Sequence, residues 1–149
     1  MNILNDTEKK TIEAKIAEIE GQTSGEIKVV IAKASPRWKY GSKNPVQTKA
    51  LMLFKKHQIH KTIDATGVIV FFSLKERAFY IHADGGIYQK IGAETLNTFS
   101  QNLTEDMKAG RYCEGIIKLL DSIAIPLIQY FPIKEGDVNE ISNTVIIEK

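Results

Sequence analysis

Three acidic residues stand beside predicted β-strands and together could bind a cation. Glu26 begins one predicted strand, Asp64 lies just before a second, and Asp84 follows a third within Asp84-Gly85-Gly86. If the first two strands are parallel and the third returns antiparallel, all three carboxylates meet at one edge of the sheet. With the backbone carbonyls near Gly85 and Gly86 they form a set of hard oxygen ligands. Such a set suits Ca²⁺ and does not exclude the binding of other divalent cations. The alternative is that Asp64 and Asp84 are turn residues and Glu26 is a solvated charge.

Residues 37–43 form a second chemically distinctive segment. The aromatic residues Trp38 and Tyr40 alternate there with the cations Arg37, Lys39 and Lys43. Such a segment can stack on and neutralise a phosphorylated or nucleic-acid ligand. Alternatively it is a solvated loop, with Trp38 packed onto the core.

The histidines supply weaker candidates. His57 and His60 stand where a predicted helix ends, so they either interact with the helix dipole or act as metal ligands or proton donors near Asp64. Signatures of other sites are absent: the sequence has no phosphate-binding or dinucleotide-binding glycine motif, no nucleophile elbow and no EF-hand loop.

Hydrophobic periodicity predicts the elements that position these residues. Runs rich in β-branched or apolar residues predict strands at 26–32, 67–72 and 78–83. Apolar residues at helical spacing predict helices at 5–20, from 44 to about 57, at 93–109 and from 112 onward. The order α-β-α-β-β-α-α predicts a single-domain α/β sandwich, Rossmann-like in its layers. It contains a small mixed sheet, formed by a βαβ crossover and an antiparallel hairpin, with helices on both faces. We expect the domain to span residues 1–132, and residues 133–149 to be a tail or an extra edge strand.

Composition limits the function classes. The 149 residues are 43% hydrophobic, and 20 Lys and Arg against 18 Asp and Glu leave a net charge of +2. This balance does not predict nucleic acid or an anionic membrane as the default partner. The single cysteine, Cys113, excludes a disulfide framework. No apolar run is long enough to span a membrane and no signal peptide is recognisable, so we expect a cytoplasmic monomer.

Several short motifs, in order, resemble one known family. Ser24-Gly25-Glu26 opens the first strand, Thr66-Gly67 opens the second, and Asp84-Gly85-Gly86 follows the third. Further matches are Glu76-Arg77 between the strands and Gly110-Arg111-Tyr112 between the last helices. Together they resemble the TPM domain, over about residues 7–132. That family is named after a thylakoid lumen phosphatase, a photosystem II repair protein and an acetylcholine-receptor auxiliary protein. The resemblance implies an α/β sandwich, divalent-metal binding, often of calcium, and acid phosphatase activity in some members.

Two functions follow as hypotheses. The first is a calcium-binding module of otherwise unassigned role that acts through a protein partner. The second is a metal-dependent acid phosphatase at the edge of Glu26, Asp64 and Asp84. A phosphatase needs a cation aimed at the phosphate, and the densest basic segment, 37–43, is predicted at the opposite edge of the sheet. The binding module is therefore the preferred hypothesis.

Overall fold

A four-stranded mixed sheet forms the centre of the molecule, which we describe from a computed structural model covering residues 3–62, 64–133 and 144–148. Strand β1 (Glu26–Ala32) lies between β2 (Gly67–Ser73) and β4 (Ile146–Glu148) and is parallel to both. Strand β3 (Ala78–Ala83) pairs antiparallel with β2 at the other side of the sheet. The predicted crossover and hairpin are thereby confirmed.

Six α-helices and one short 3₁₀ helix accompany the strands in the described residues. They are α1 (Asp6–Glu20), α2 (Arg37–Tyr40), α3 (Pro45–Lys56), the 3₁₀ helix Ile59–Lys61, α4 (Gly85–Ile91), α5 (Ala93–Lys108) and α6 (Tyr112–Tyr130). Capping residues account for where two of these helices begin. Asn5 and Glu8 form a reciprocal capping box at the start of α1, and Asn44 caps α3 just before Pro45.

Helices cover both faces of the sheet, so β1 and β2 are buried along their whole length. On one face, alternate strand residues such as Val29 and Val70 pack against apolar residues of α1 and α6. On the other face, Val30 and Phe71 pack against α3, including Phe54. This two-sided packing confirms the predicted α/β sandwich.

Strand β4 adds a fourth strand beyond the three predicted from the interior of the chain. Val145, just before it, is 5% exposed and belongs to the main core, and its N–H donates to Glu13 Oε2 of α1 at 2.7 Å. Glu148 forms an ion pair with Lys56 and lies 3.3 Å from His57 Nε2. Of the two alternatives for residues 133–149, residues 146–148 adopt the edge strand, whereas residues 134–143 lie outside the described part of the chain.

Candidate functional site

The backbone brings the segments of Asp64 and Asp84 together. The Asp84 N–H donates to the Gly67 carbonyl at 2.9 Å, at the start of β2. The Gly86 N–H donates to the Ala65 carbonyl, also at 2.9 Å, so the turn after β3 is tied to the turn before β2. Both turns therefore lie at the edge of the sheet predicted from topology.

Asp84 also has a local structural role. It is the N-cap of α4, and its carboxylate accepts the Gly85 N–H at 2.8 Å. Periodicity does not predict this short helix, because the two glycines in its first turn are poor helix formers. The Asp at the N-cap position is the signal from which it could have been predicted.

Gly86 permits the close contact between the two turns. A Cβ atom at this position would lie 2.2 Å from the Asp64 carbonyl oxygen and 2.7 Å from that of Ala65. Only glycine fits there without displacing the backbone. Two carbonyl oxygens thus lie beside the turn that carries Asp84, while the Asp64 side chain is exposed.

Glu26 has different surroundings from the two aspartates. It is 4% exposed and forms a side-chain hydrogen bond with Glu20, the last residue of α1. Glu20 Oε2 in turn accepts the Ile27 N–H at 2.7 Å. Glu20 is not among the residues predicted for the site, and its only signal in the sequence is its position next to the turn that leads into β1.

Burial perturbs the ionisation of this carboxyl pair. Burial, together with the charge of Glu26 and the hydrogen bond to it, raises the pKa of Glu20 to about 9, although the Ile27 N–H and Lys28 act in the opposite direction. Burial likewise lowers the pKa of Lys28, which is 3% exposed, against the attraction of nearby carboxylates. Glu20 therefore holds a proton at neutral pH.

In residues 3–62, 64–133 and 144–148, no group of three or more His, Cys, Asp or Glu side chains is arranged to hold a metal ion. Glu26 lies with Glu20, whereas Asp64 and Asp84 lie on two joined turns. Calcium binding by Glu26, Asp64, Asp84, Gly85 and Gly86 thus stays a prediction.

The histidine side chains contact aromatic rings or a carboxylate. His57 Nε2 lies 3.3 Å from Glu148, and the His82 ring packs edge-on against Phe54 with ring centroids 4.8 Å apart. Burial lowers the pKa of His82, against the opposing influence of Asp84. The His60 ring lies 6.4 Å from that of Phe54. Ring packing against Phe54 and the hydrogen bond to Glu148 are the contacts that the structure shows for these three side chains.

A hydrogen-bonded network occupies the opposite edge, where β1 and β2 end. The hydroxyls of Ser35 and Ser73 lie 2.6 Å apart, and Glu76 accepts from the Ser73 hydroxyl at 2.5 Å and from the Ser35 N–H at 3.0 Å. Burial alone would raise the pKa of Glu76, but these hydrogen bonds lower it below its usual value. Nearby, the buried Lys49 donates to the Ala34 carbonyl at 2.6 Å. The network joins the β2–β3 hairpin to the segment after β1.

The basic aromatic segment 37–43 folds in part as α2. Trp38 is 85% exposed, so the expectation that it packs onto the core is wrong. A single helical turn after Pro36 holds the indole away from the body of the protein. Tyr40 is half-buried instead, with the Lys39 and Lys49 ammonium groups 5.5 and 5.1 Å from its ring centroid.

A groove of about 1070 Å³ separates β3 from α5. Apolar side chains line much of it, among them Phe79, Ile81, Leu96 and Met107.

Cys113 lies at a half-buried position on α6, and burial raises the pKa of its thiol. It is therefore a weak nucleophile at neutral pH.

Comparison with known proteins identifies the family. A family model for the TPM domain matches residues 1–125. The chain belongs to the TPM domain family. No curated protein matches this TPM domain.

Solved structures are similar to this TPM domain over most of its length. The BA42 protein from the psychrophilic bacterium Bizionia argentinensis has 26% sequence identity and a TM-score of 0.85, with 99% of this chain and 97% of that chain covered. The N-terminal domain of a P. gingivalis protein has 14% identity and a TM-score of 0.69, with coverages of 90% and 84%. The N-terminal domain of cg2496 from Corynebacterium glutamicum has 13% identity and a TM-score of 0.59, with coverages of 83% and 74%. The last two show a shared fold.

None of the helices formed by the described residues is both long and apolar enough to cross a bilayer.

Proposed function

We propose that this TPM domain is a divalent-cation-binding module that acts through a partner, with Ca²⁺ as the cation. The observation that carries the proposal is the joining of the Asp64 and Asp84 turns by the Gly86–Ala65 hydrogen bond of 2.9 Å. It places two carboxylate-bearing turns and the Asp64 and Ala65 carbonyls at one end of the sheet. Oxygen donors of these kinds are the ligands that Ca²⁺ takes.

The acid phosphatase implied by the family resemblance is the alternative function. Hydrolysis of a phosphate ester requires a cationic group or metal ion aimed at the phosphoryl oxygens. The cationic residues Arg37, Lys39 and Lys43 follow the carboxyl end of β1, whereas Asp84 follows β3 at the opposite edge. This separation favours binding over hydrolysis.

Calcium titration of the wild-type protein tests the proposal. We expect Ca²⁺ to raise the melting temperature and to shift the amide NMR signals of Ala65, Gly85 and Gly86, because a ligand of the native state stabilises it by mass action. Asp84→Asn should abolish most of this response. Since Asn caps helices as well as Asp does, the variant removes the charge while keeping the cap of α4.

Glu105→Gln is the matched control, since it removes one charge from an exposed position of α5. It should retain the full calcium response. A melting curve and a spectrum that stay unchanged across a millimolar calcium series would refute the proposal. Calcium-dependent hydrolysis of a phosphate monoester that is lost in Asp84→Asn would instead support the phosphatase.

A further inference from the structure

The positive charge of the chain is concentrated in one segment. Residues 27–63 contain nine of the 20 Lys and Arg residues and none of the 18 Asp and Glu residues, which leaves the rest of the chain at −7. Seven of the nine cations are exposed, and in the described residues only Lys56 among these seven forms an ion pair with a carboxylate, that of Glu148. The net charge of +2 hides this asymmetry.

Part of this charge lies close to the exposed tryptophan along the chain, and Lys75 of the β2–β3 hairpin adds to it. The Trp38 patch consists of Trp38 with five exposed cations: Lys33, Arg37, Lys39, Lys43 and Lys75. The Lys75 N–H donates to the Lys33 carbonyl at 2.9 Å, so the β2–β3 hairpin lies beside the segment that leads from β1 into α2.

Acidic side chains do little to neutralise the Trp38 patch. None of its five cations forms an ion pair with a carboxylate in the part of the chain that the structure describes. Glu76, next to Lys75 in the hairpin, attracts that cation and also accepts hydrogen bonds from Ser35 and Ser73, so its single negative charge opposes the five positive charges. The patch therefore presents a net positive charge around a large apolar side chain.

We propose that the Trp38 patch binds the surface of an anionic lipid bilayer. Tryptophan is favoured at the level of the lipid headgroups, where its ring is half apolar and its N–H is hydrated. At 85% exposure the Trp38 indole can enter that layer without unfolding any element. Each Lys or Arg close to an anionic surface strengthens binding by about fivefold. Together the two contributions give reversible, peripheral attachment.

The geometry fits nucleic acid less well. Single-stranded nucleic acid is held by several aromatic rings on which successive bases stack. Here Trp38 is the one fully exposed ring of the segment, because Tyr40 is half-buried and lies under the Lys39 and Lys49 ammonium groups. Helix α2 has four residues, which is too short to read a major groove.

Intrinsic fluorescence gives a direct test, since Trp38 is the single tryptophan of the chain. With vesicles of phosphatidylcholine and phosphatidylglycerol, its emission should shift to shorter wavelength and the protein should sediment with the lipid. High salt should reverse both effects, because it screens the cations. Vesicles of phosphatidylcholine alone should produce neither effect.

Two substitutions and a control separate the contributions of positive charge and of the Trp38 side chain to vesicle binding. Lys43→Glu should weaken vesicle binding by at least about tenfold, since it removes one attraction and adds one repulsion. Lys10→Glu, the same reversal at an exposed position of α1, should leave binding unchanged. Trp38→Ala, followed by sedimentation, should bind more weakly at an unchanged melting temperature, because the side chain is exposed.

Three results would overturn the proposal. They are an unshifted emission with anionic vesicles, equal losses in Lys43→Glu and Lys10→Glu, and quenching of Trp38 by oligouridylate without a response to vesicles. The last result would assign the patch to nucleic acid. Because the patch and the Asp84 turn lie at opposite edges, failure of calcium binding would leave this test unaffected.

Discussion

The carboxyl of the half-buried Glu20 carries a proton that is linked to folding. Its pKa is about 9 in the folded protein, against an ordinary value of 4.5, first because of burial and then because of Glu26. Between these two values the folded state binds a proton that the unfolded state releases. The free energy of unfolding therefore falls as pH rises through this window.

Glu20→Gln should remove this pH dependence. Glutamine can accept the Ile27 N–H and donate toward Glu26, but it cannot titrate. For the wild type we expect the free energy of unfolding to fall by up to about 1.4 kcal/mol per pH unit from about pH 5 to about pH 9. The Gln variant should lack this slope in denaturant titrations over the same range.

Glu18→Gln is the control for this prediction. Its side chain is 64% exposed on the same helix, so the wild-type slope should persist. A Glu20→Gln variant that kept the slope would show that another group carries the proton.

Gly86 and Gly85 are adjacent glycines with opposite constraints. A Cβ at Gly86 would meet the Asp64 and Ala65 carbonyl oxygens, whereas a Cβ at Gly85 would have no neighbouring atom within 4 Å. Gly86→Ala must push the two turns apart, so we expect it to cost about 2 kcal/mol or more. Gly85→Ala should be neutral or slightly stabilising, since alanine restricts the unfolded chain.

Thermal unfolding of the two alanine variants checks this prediction. A lower melting temperature for Gly86→Ala alone would support the joined turns. Equal melting temperatures would mean that the Asp64 and Asp84 turns are not held together, and would remove the geometric support for a cation site there.

At the scale of elements, β4 contributes both pairing and burial. Val145, just before β4, is 5% exposed in the main core, while Ile147 within β4 is 47% exposed. We expect Val145→Ala to lower the free energy of unfolding by about 1–2 kcal/mol, and Ile147→Ala by less than half as much. Chemical denaturation of both variants measures the difference. Equal small losses would show that β4 contributes little to the core.

The elements also show what could be predicted from the sequence. Strand β2 is a continuous apolar run and β1 is rich in β-branched residues, so both could be predicted, and strand direction alone places Asp64 and Asp84 at one edge. The pairing of Glu26 with Glu20 could not be predicted, because it depends on how the turn between α1 and β1 folds back. The exposure of Trp38 could not be predicted either. It depends on how the single helical turn of α2 is oriented, and four residues are too few for hydrophobic periodicity to indicate which side is buried.

At the scale of the whole molecule, the total charge conceals how the charges are distributed along the chain. A net charge of +2 predicts no preference for anionic partners, yet residues 27–63 carry nine cations and no acid. Electrostatic attraction acts over about 8–10 Å at physiological salt, so the local charge matters more than the total. The asymmetry is visible in the sequence itself when charges are counted over segments rather than over the whole chain.

The position of β4 has a consequence for synthesis on the ribosome. Strand β1 pairs with β2 about 40 residues later, but its other side pairs with residues 146–148. That side of β1 thus stays open until translation has passed residue 148, and an open strand edge invites pairing with other chains. Glu20 is made earlier and accepts the Ile27 N–H, but β4 pairs with residues 30–32, at the other end of β1. The stretch of β1 that waits for β4 is therefore residues 30–32.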